Sequence, residues 1–273
     1  MPGFEQVQET VKAIRERCAL TPQLALVLGS GLGGLADVVE DSVKLSYSDL
    51  SHFPVTTAQS HKGRLVMGFL SGKPVVMMQG RLHYYEGYSM AQVVFPIRVM
   101  QALGASTLLV TNAAGGLEPS FKAGDLMLIS DHINLFGTNP LLGKNDERFG
   151  PRFPDMSDAY DKHLQKLALS TAKNLDIDLK QGVYVGTAGP TFETSAERRF
   201  MRVIGGSSVG MSTVPEVIAA NHLGMSVLGF SAITNVATGE ADQPEDDPDE
   251  VVRVAGQIGE RLERLVRGVI QAL

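Results

Sequence analysis

Three short runs carry residue types suited to holding a flat, polar heterocycle. Residues 187–194 read TAGPTFET and set the carboxylate of Glu193 between Phe192 and Thr194, behind a Gly189-Pro190 turn. Residues 209–212 read VGMS, and residues 230–235, FSAITN, end an apolar run in the amide of Asn235. A carboxylate only accepts hydrogen bonds, whereas an amide both donates and accepts. An aromatic ring, a carboxylate and an amide on neighbouring loops can therefore take the face and the edge of such a ring. Taken alone, Glu193 reads first as a solvated loop charge.

A second set of residues suits an anion. LALVL (24–28) runs into GSGLGG (29–34), where glycines let backbone N–H groups approach an anion and a following helix start favours negative charge. Ser30 adds a hydroxyl. Gly29-x-Gly31-x-x-Gly34 also matches the dinucleotide fingerprint of a Rossmann-type oxidoreductase, with Asp49 at the spacing of a ribose contact. Two features weigh against that reading. Residues 43–47 alternate, where the second strand of such a fold is continuously buried. Asp49 is followed by LSHFP rather than by a crossover helix. No GKS or GKT supports a Walker-type site.

Arg81 and His83 lie two apart in QGRLHYY (79–85), directly after a strand, and project from one side if the segment stays extended. A guanidinium fork matches phosphate oxygens. The plainer reading is a surface Arg beside a partly buried His. His61, ahead of Lys62-Gly63-Arg64, is either a further anion ligand or a polar loop residue. His52, His163 and His222 read as structural or solvated, and His132 stays unassigned. None of them has metal-site spacing.

These residues need elements to position them. Helical periodicity runs over residues 4–18, 89–103 (despite Pro96), 159–175, 195–203, 214–223 and 248–273. Residues 32–39 can open a further helix. Strands are expected at 24–28, 43–47, 65–70, 75–79, 107–111, 125–130, 182–186, 207–211 and 226–234, with a hairpin around Ser71-Gly72-Lys73. Asn112–Gly116 reads as a strand-end turn of small residues. Residues 52–63 and 80–87 read as loops. Residues 132–158 form a long loop of a kind usually functional or interfacial, and 239–250 an acidic loop or lid. Strands alternating with helices imply an α/β fold, one domain over 1–273 with a central mixed β-sheet flanked by helices. Ligands of open α/β sheets sit beyond the carboxyl ends of strands. The loops after these strands can thus converge into an anion site beside a heterocycle site.

Composition sets the outer bounds. The chain has 273 residues, 44% apolar and 20% charged, with a net charge of −6. That balance argues against a nucleic-acid partner. The single cysteine, Cys18, excludes a disulfide framework or a cysteine zinc site and fits a core-facing helix position. No apolar run reaches membrane-spanning length and no signal-peptide pattern opens the chain, so a soluble cytoplasmic protein is the expectation.

In combination, LGSGLGG (28–34), QGRLHYYEG (79–87), TNAAGGL (111–117), NDERFG (145–150), AGPTFET (188–194) and VGMSTVPEV (209–217) resemble the trimeric purine nucleoside phosphorylases, in family order and at family spacing. The resemblance implies phosphorolysis of (deoxy)ribonucleosides to free purine and (deoxy)ribose 1-phosphate, as in purine salvage. It implies phosphate held by Ser30, His61, Arg81, His83, the Ala113 backbone and Ser212. Tyr85 and Met211 would meet the ribose, and Phe192, Glu193 and Asn235 the base. Asn235, Glu193 and His83 would be the catalytic residues, and Phe149 would reach a neighbouring subunit's ribose site in a homotrimer. No metal or organic cofactor is implied, inorganic phosphate being a co-substrate. An ionised Glu193 accepting from N1–H would favour inosine and guanosine over adenosine. The alternatives are a 5′-methylthioadenosine phosphorylase, whose position matching Asn235 is typically Asp, the Rossmann-type oxidoreductase, and a nucleoside-binding protein without turnover. One departure stands out. Mammalian-type members carry a His after the position of Asn235, near the ribose 5′-hydroxyl, whereas this chain has none after His222 and is acidic around Asp247-Pro248-Asp249.

Overall fold

The computed structural model describes every residue except Met1, Pro2, Gly31, Gln59, Ser60, Asp242 and Pro244. Parts of three expected loops, at Gly31, at 59–60 and at 242 and 244, therefore lie outside the described residues. The helices are α1 (Phe4–Arg15), α2 (Met90–Val93), α3 (Phe95–Ala102), α4 (Lys162–Asn174), α5 (Ser195–Val203), α6 (Val214–His222) and α7 (Pro248–Ala272). The strands are β1 (Leu24–Leu28), β2 (Glu40–Ser46), β3 (Arg64–Leu70), β4 (Lys73–Gln79), β5 (Thr107–Gly116), β6 (Leu126–Asn134), β7 (Leu179–Gly186), β8 (Ser208–Gly210) and β9 (Ser226–Val236).

The strands form one mixed sheet in the order β2-β3-β4-β1-β5-β8-β7-β6-β9, and β5 also pairs with β9. Strands β5, β8, β7, β6 and β9 thus close into a ring, while β1 to β4 extend as an open wing. β1 shows why the sheet must be covered on both faces. Ala25 and Val27 pack into one apolar cluster with α1, α3 and α6. Leu24, Leu26 and Leu28 pack into another with α4 and α7. All five residues are buried, as a continuous apolar run requires. The β3–β4 hairpin turns through Ser71 and Gly72, both at positive φ, the conformation that a two-residue hairpin favours.

Several expectations need correction. Asn112–Gly116 is not a turn. It continues β5, with Ala113 paired to Ala232 of β9 and Gly115 to Val209 of β8. Asn235 likewise lies inside β9, and His132 inside β6, where its Nδ1 is 3.2 Å from the Tyr160 hydroxyl. Pro96 splits the expected 89–103 helix at Val94, because proline is tolerated in a first turn but not in an interior. Residues 33–38 form a 3₁₀ helix rather than an α-helix. Cys18 is buried but lies three residues beyond α1. The Rossmann expectation fails on topology. β1 lies between β4 and β5, and β2 runs antiparallel to β3 at the sheet's margin, so among the described residues no βαβ unit follows the glycines.

Candidate active site

A cavity of about 700 Å³ opens where β5, β8 and β9 meet the segments after β1, β4 and β7. Every site residue that the family resemblance implies lines it except His61 and Phe149.

At one end of the cavity, Arg81 is 1% exposed, although it follows β4 directly. Its Nη1 donates to Ser212 Oγ at 2.8 Å and to Thr213 Oγ1 at 3.0 Å, and its Nε stands 3.3 Å from Glu216 Oε1. Thr213 holds a positive φ of 70°, unusual for a β-branched residue, and its hydroxyl also accepts from Asn112 Nδ2 at 2.8 Å. Nη2 of Arg81 is buried and has no hydrogen-bond partner among the described residues. A buried unpaired guanidinium nitrogen is costly unless an acceptor meets it, and that is a feature an anion would satisfy.

Two histidines join it. Gly80 has a φ of +100°, and a Cβ there would lie 2.6 Å from His61 Cβ, so the bare backbone is what lets His61 pack close. His61 Nδ1 lies 2.9 Å from the Arg81 carbonyl and 3.1 Å from its amide nitrogen, and Nε2 lies 3.2 Å from Ser30 Oγ. When Nδ1 accepts from the amide, Nε2 carries the proton and can donate to an anion. Burial, with the neighbouring His83, brings the His61 pKa down to about 4, so the ring is neutral at pH 7. His61 stacks on His83 and His83 on Tyr85, at centroid separations of 5.2 and 4.7 Å. Glu86 Oε1 meets His83 Nδ1 at 3.1 Å, while Oε2 accepts from the Thr57 amide and hydroxyl. Burial opposes ionisation of Glu86, but the bonds from His83 and Thr57 outweigh it and hold its pKa at about 2. His83 Nε2 is thereby left as the nitrogen available to a ligand.

At the other side, Glu193 stands two residues ahead of α5. Thr194 caps that helix, its Oγ1 accepting from the Glu197 amide while Glu197 returns bonds to Thr194. The cap fixes the chain at the helix start, next to Glu193. Glu193 Oε1 accepts from Thr187 Oγ1 at 3.2 Å, and burial raises its pKa above 4.5. Asn235 Oδ1 accepts from Thr234 Oγ1 at 2.9 Å, and its Nδ2 donates to Asp246 at 2.8 Å. Pro248 and Asp249, at the start of α7, complete the wall. Phe149 lies outside its own chain's cavity, with its ring 5.5 Å from that of Phe4 and the Arg98 guanidinium 4.4 Å from its centroid.

The family model for the phosphorylase superfamily matches residues 23–271. A purine nucleoside phosphorylase of Bacillus subtilis is 53% identical over 266 residues, covering 97% of this chain and 98% of that protein. The chain belongs to the purine nucleoside phosphorylases of this superfamily. Among solved structures, a Schistosoma mansoni purine nucleoside phosphorylase in complex with inosine superposes with a TM-score of 0.96 at 39% identity, covering 100% of this chain and 98% of that one. Another, in complex with adenosine, gives 0.96 at 41%, covering 100% and 99%.

Membership of the family gives the side chains behind the cavity a context. Glu216, Glu86, Thr213, Arg198 and Asp246 were not singled out from the sequence. Glu216 and Thr213 contact Arg81, Glu86 contacts His83 and Asp246 contacts Asn235, while Arg198 pairs with Asp246. Glu216 left a signal, being the lone charge in VPEVIAA (214–220) and 2% exposed in the fold. The other four look like ordinary surface or loop residues in the sequence. Among the described residues no group of three His, Cys, Asp or Glu side chains is gathered for a metal.

Proposed function

We propose that this phosphorylase cleaves purine nucleosides with inorganic phosphate and prefers 6-oxopurines, inosine and guanosine, over adenosine. One observation carries the reading: a buried guanidinium whose Nη2 has no partner among the described residues and a half-buried carboxylate face the same cavity, of a size that holds a nucleoside and phosphate together. Arg81, His61, His83, Ser30, Ser212 and the Ala113 backbone hold phosphate. Tyr85 and Met211 flank the ribose, Phe192 lies on the base, and Glu193 and Asn235 take its edge.

A phosphate oxygen forms a bond to C1′ as the C1′–N9 bond breaks. The bonding pair leaves with the purine, and positive charge gathers on the sugar. The phosphate stabilises that cation as it attacks, and His83, beside the phosphate, can exchange a proton with it. Asn235 donates toward N7 as electron density builds there. Donors aimed at charge that develops in the transition state are worth about 3–4 kcal/mol each. Ionised Glu193 accepts from N1–H of hypoxanthine or guanine, and from the 2-amino group of guanine. Adenine lacks N1–H and leaves the carboxylate facing a lone pair. Residues 1–273 work as one domain, and Phe149 completes a neighbouring chain's site in a homotrimer. The exposed Phe153 and Leu142 on the same loop fit an interface between copies.

The test is base release from inosine and adenosine, each with and without phosphate, read by chromatography. Hypoxanthine with ribose 1-phosphate, only when phosphate is present, is expected. Efficient adenosine cleavage overturns the base reading, and release without phosphate overturns phosphorolysis.

A further inference from the structure

Asn235 is held at both ends. Its Oδ1 accepts from Thr234, and its Nδ2 donates to Asp246 Oδ1 at 2.8 Å. The other oxygen of Asp246 is paired with Nη2 of Arg198. Arg198, on α5, is 2% exposed, and its Nε has no hydrogen-bond partner among the described residues. Burying a guanidinium and a carboxylate is expensive and seldom adds much stability on balance, so such a pair points to a positional role.

The surrounding contacts say what is positioned. Arg199 Nη1 donates to the Gly239 carbonyl at 2.6 Å, and Arg202 Nη1 to the Thr238 carbonyl at 3.1 Å and to Glu240 at 2.6 Å. A turn of α5 therefore grips the segment after β9 at several points. The Arg198–Asp246 contact is the one that continues to Asn235. The two ends of an amide have nearly the same shape and opposite hydrogen-bonding character. A flipped Asn235 would set its oxygen against the Asp246 carboxylate and its NH₂ against the Thr234 hydroxyl.

We propose that Asp246, anchored by Arg198, is a positioning residue that locks the Asn235 amide with its second Nδ2–H free for the departing purine. This rests on the reading of Asn235 as a base contact. A preorganised donor needs no reorientation as charge develops. Asp246 touches neither reactant and acts only through Asn235.

The test is a double-mutant cycle on inosine phosphorolysis, with single-turnover rates for slow variants. Asp246→Ala is expected to lower kcat at least ten-fold and leave the phosphate KM within two-fold. In an Asn235→Ala background the same change is expected to cost less than two-fold. Equal losses in both backgrounds, or a change confined to KM, would make Asp246 a loop staple and overturn the proposal. Should the unpaired Arg198 unfold Asp246→Ala, seen in its thermal midpoint, the pair Asp246→Ala with Arg198→Met removes both charges and enters the same cycle. Wild-type enzyme is measured first. Absence of phosphorolysis there refutes the proposed function, whereas an additive cycle with an active wild type refutes this inference alone.

Discussion

Glu193 answers to burial, which raises its pKa, against the Thr187 bond and the nearby Arg198, which lower it. The net shift is upward, so acid neutralises Glu193 at a higher pH than an ordinary glutamate. A protonated carboxyl loses acceptor strength toward N1–H and gains a proton to offer to N1 of adenine. The ratio of kcat/KM for inosine to that for adenosine is therefore expected to fall as pH drops from 8 toward 5. A ratio that stays level across that range contradicts direct reading of N1 by Glu193. Glu193→Gln should cost inosine turnover roughly 100-fold, about the 3 kcal/mol of one transition-state donor or acceptor, and should flatten the ratio. Residues of this kind were legible in the sequence because they carry a functional group at the end of a motif. Asp246 and Arg198 were not, since their meaning lies in a contact between residues 48 positions apart.

Among elements, β1 and α5 have the bounds that their apolar spacing gave them. β5 and β9 run longer than expected. Gly115 and Gly116 read as a turn because glycine weakens strands, yet here they pair with both β8 and β9. Local sequence cannot display a partner strand about 120 residues away, and that partner decides the conformation. Glu86 ties the loop at 56–57 to the turn holding His83. Its pKa of about 2 lies below the ordinary 4.5, so its stabilisation is fully present above about 4.5 and is lost as pH falls toward 2. The His61 contribution, with a pKa of about 4 against 6.5, is lost earlier, between 6.5 and 4. Glu86→Gln should be less stable than wild type at pH 7, with the gap closing from pH 5 downward. Urea unfolding at a series of pH values measures this, and a constant gap would remove the ionised carboxylate as the cause.

For the whole molecule, the α/β class, the mixed sheet and the flanking helices were readable from the alternation of elements. The closure of β5 onto β9 was not, because ring formation is a property of pairing rather than of any one strand. That closure brings Ala113, Ser212 and Asn235 to one cavity from three parts of the chain. Assembly belongs to this scale as well. Light scattering should give the mass of three chains. Phe149→Ala should lower kcat/KM for inosine roughly ten-fold, the equivalent of about 1.4 kcal/mol of aromatic contact. A fully active monomer would refute a shared site.

Closing the ring also bears on how the protein survives its own synthesis. An open sheet offers unpaired ladders at its margins, and these recruit other chains into aggregates. Among the described residues β2 is the sheet's single terminal strand, because the other end of the order is taken up by β5. Its sequence is EDSVKLS, its register slips between Glu40 and Val43, and Glu40, Asp41 and Lys44 spread charge along seven residues. Charge and a bulge are what discourage a stray strand from docking. The margin left open by the ring is thus guarded, and neutral, β-branched replacements at Asp41 and Lys44 are where colloidal stability has most to lose.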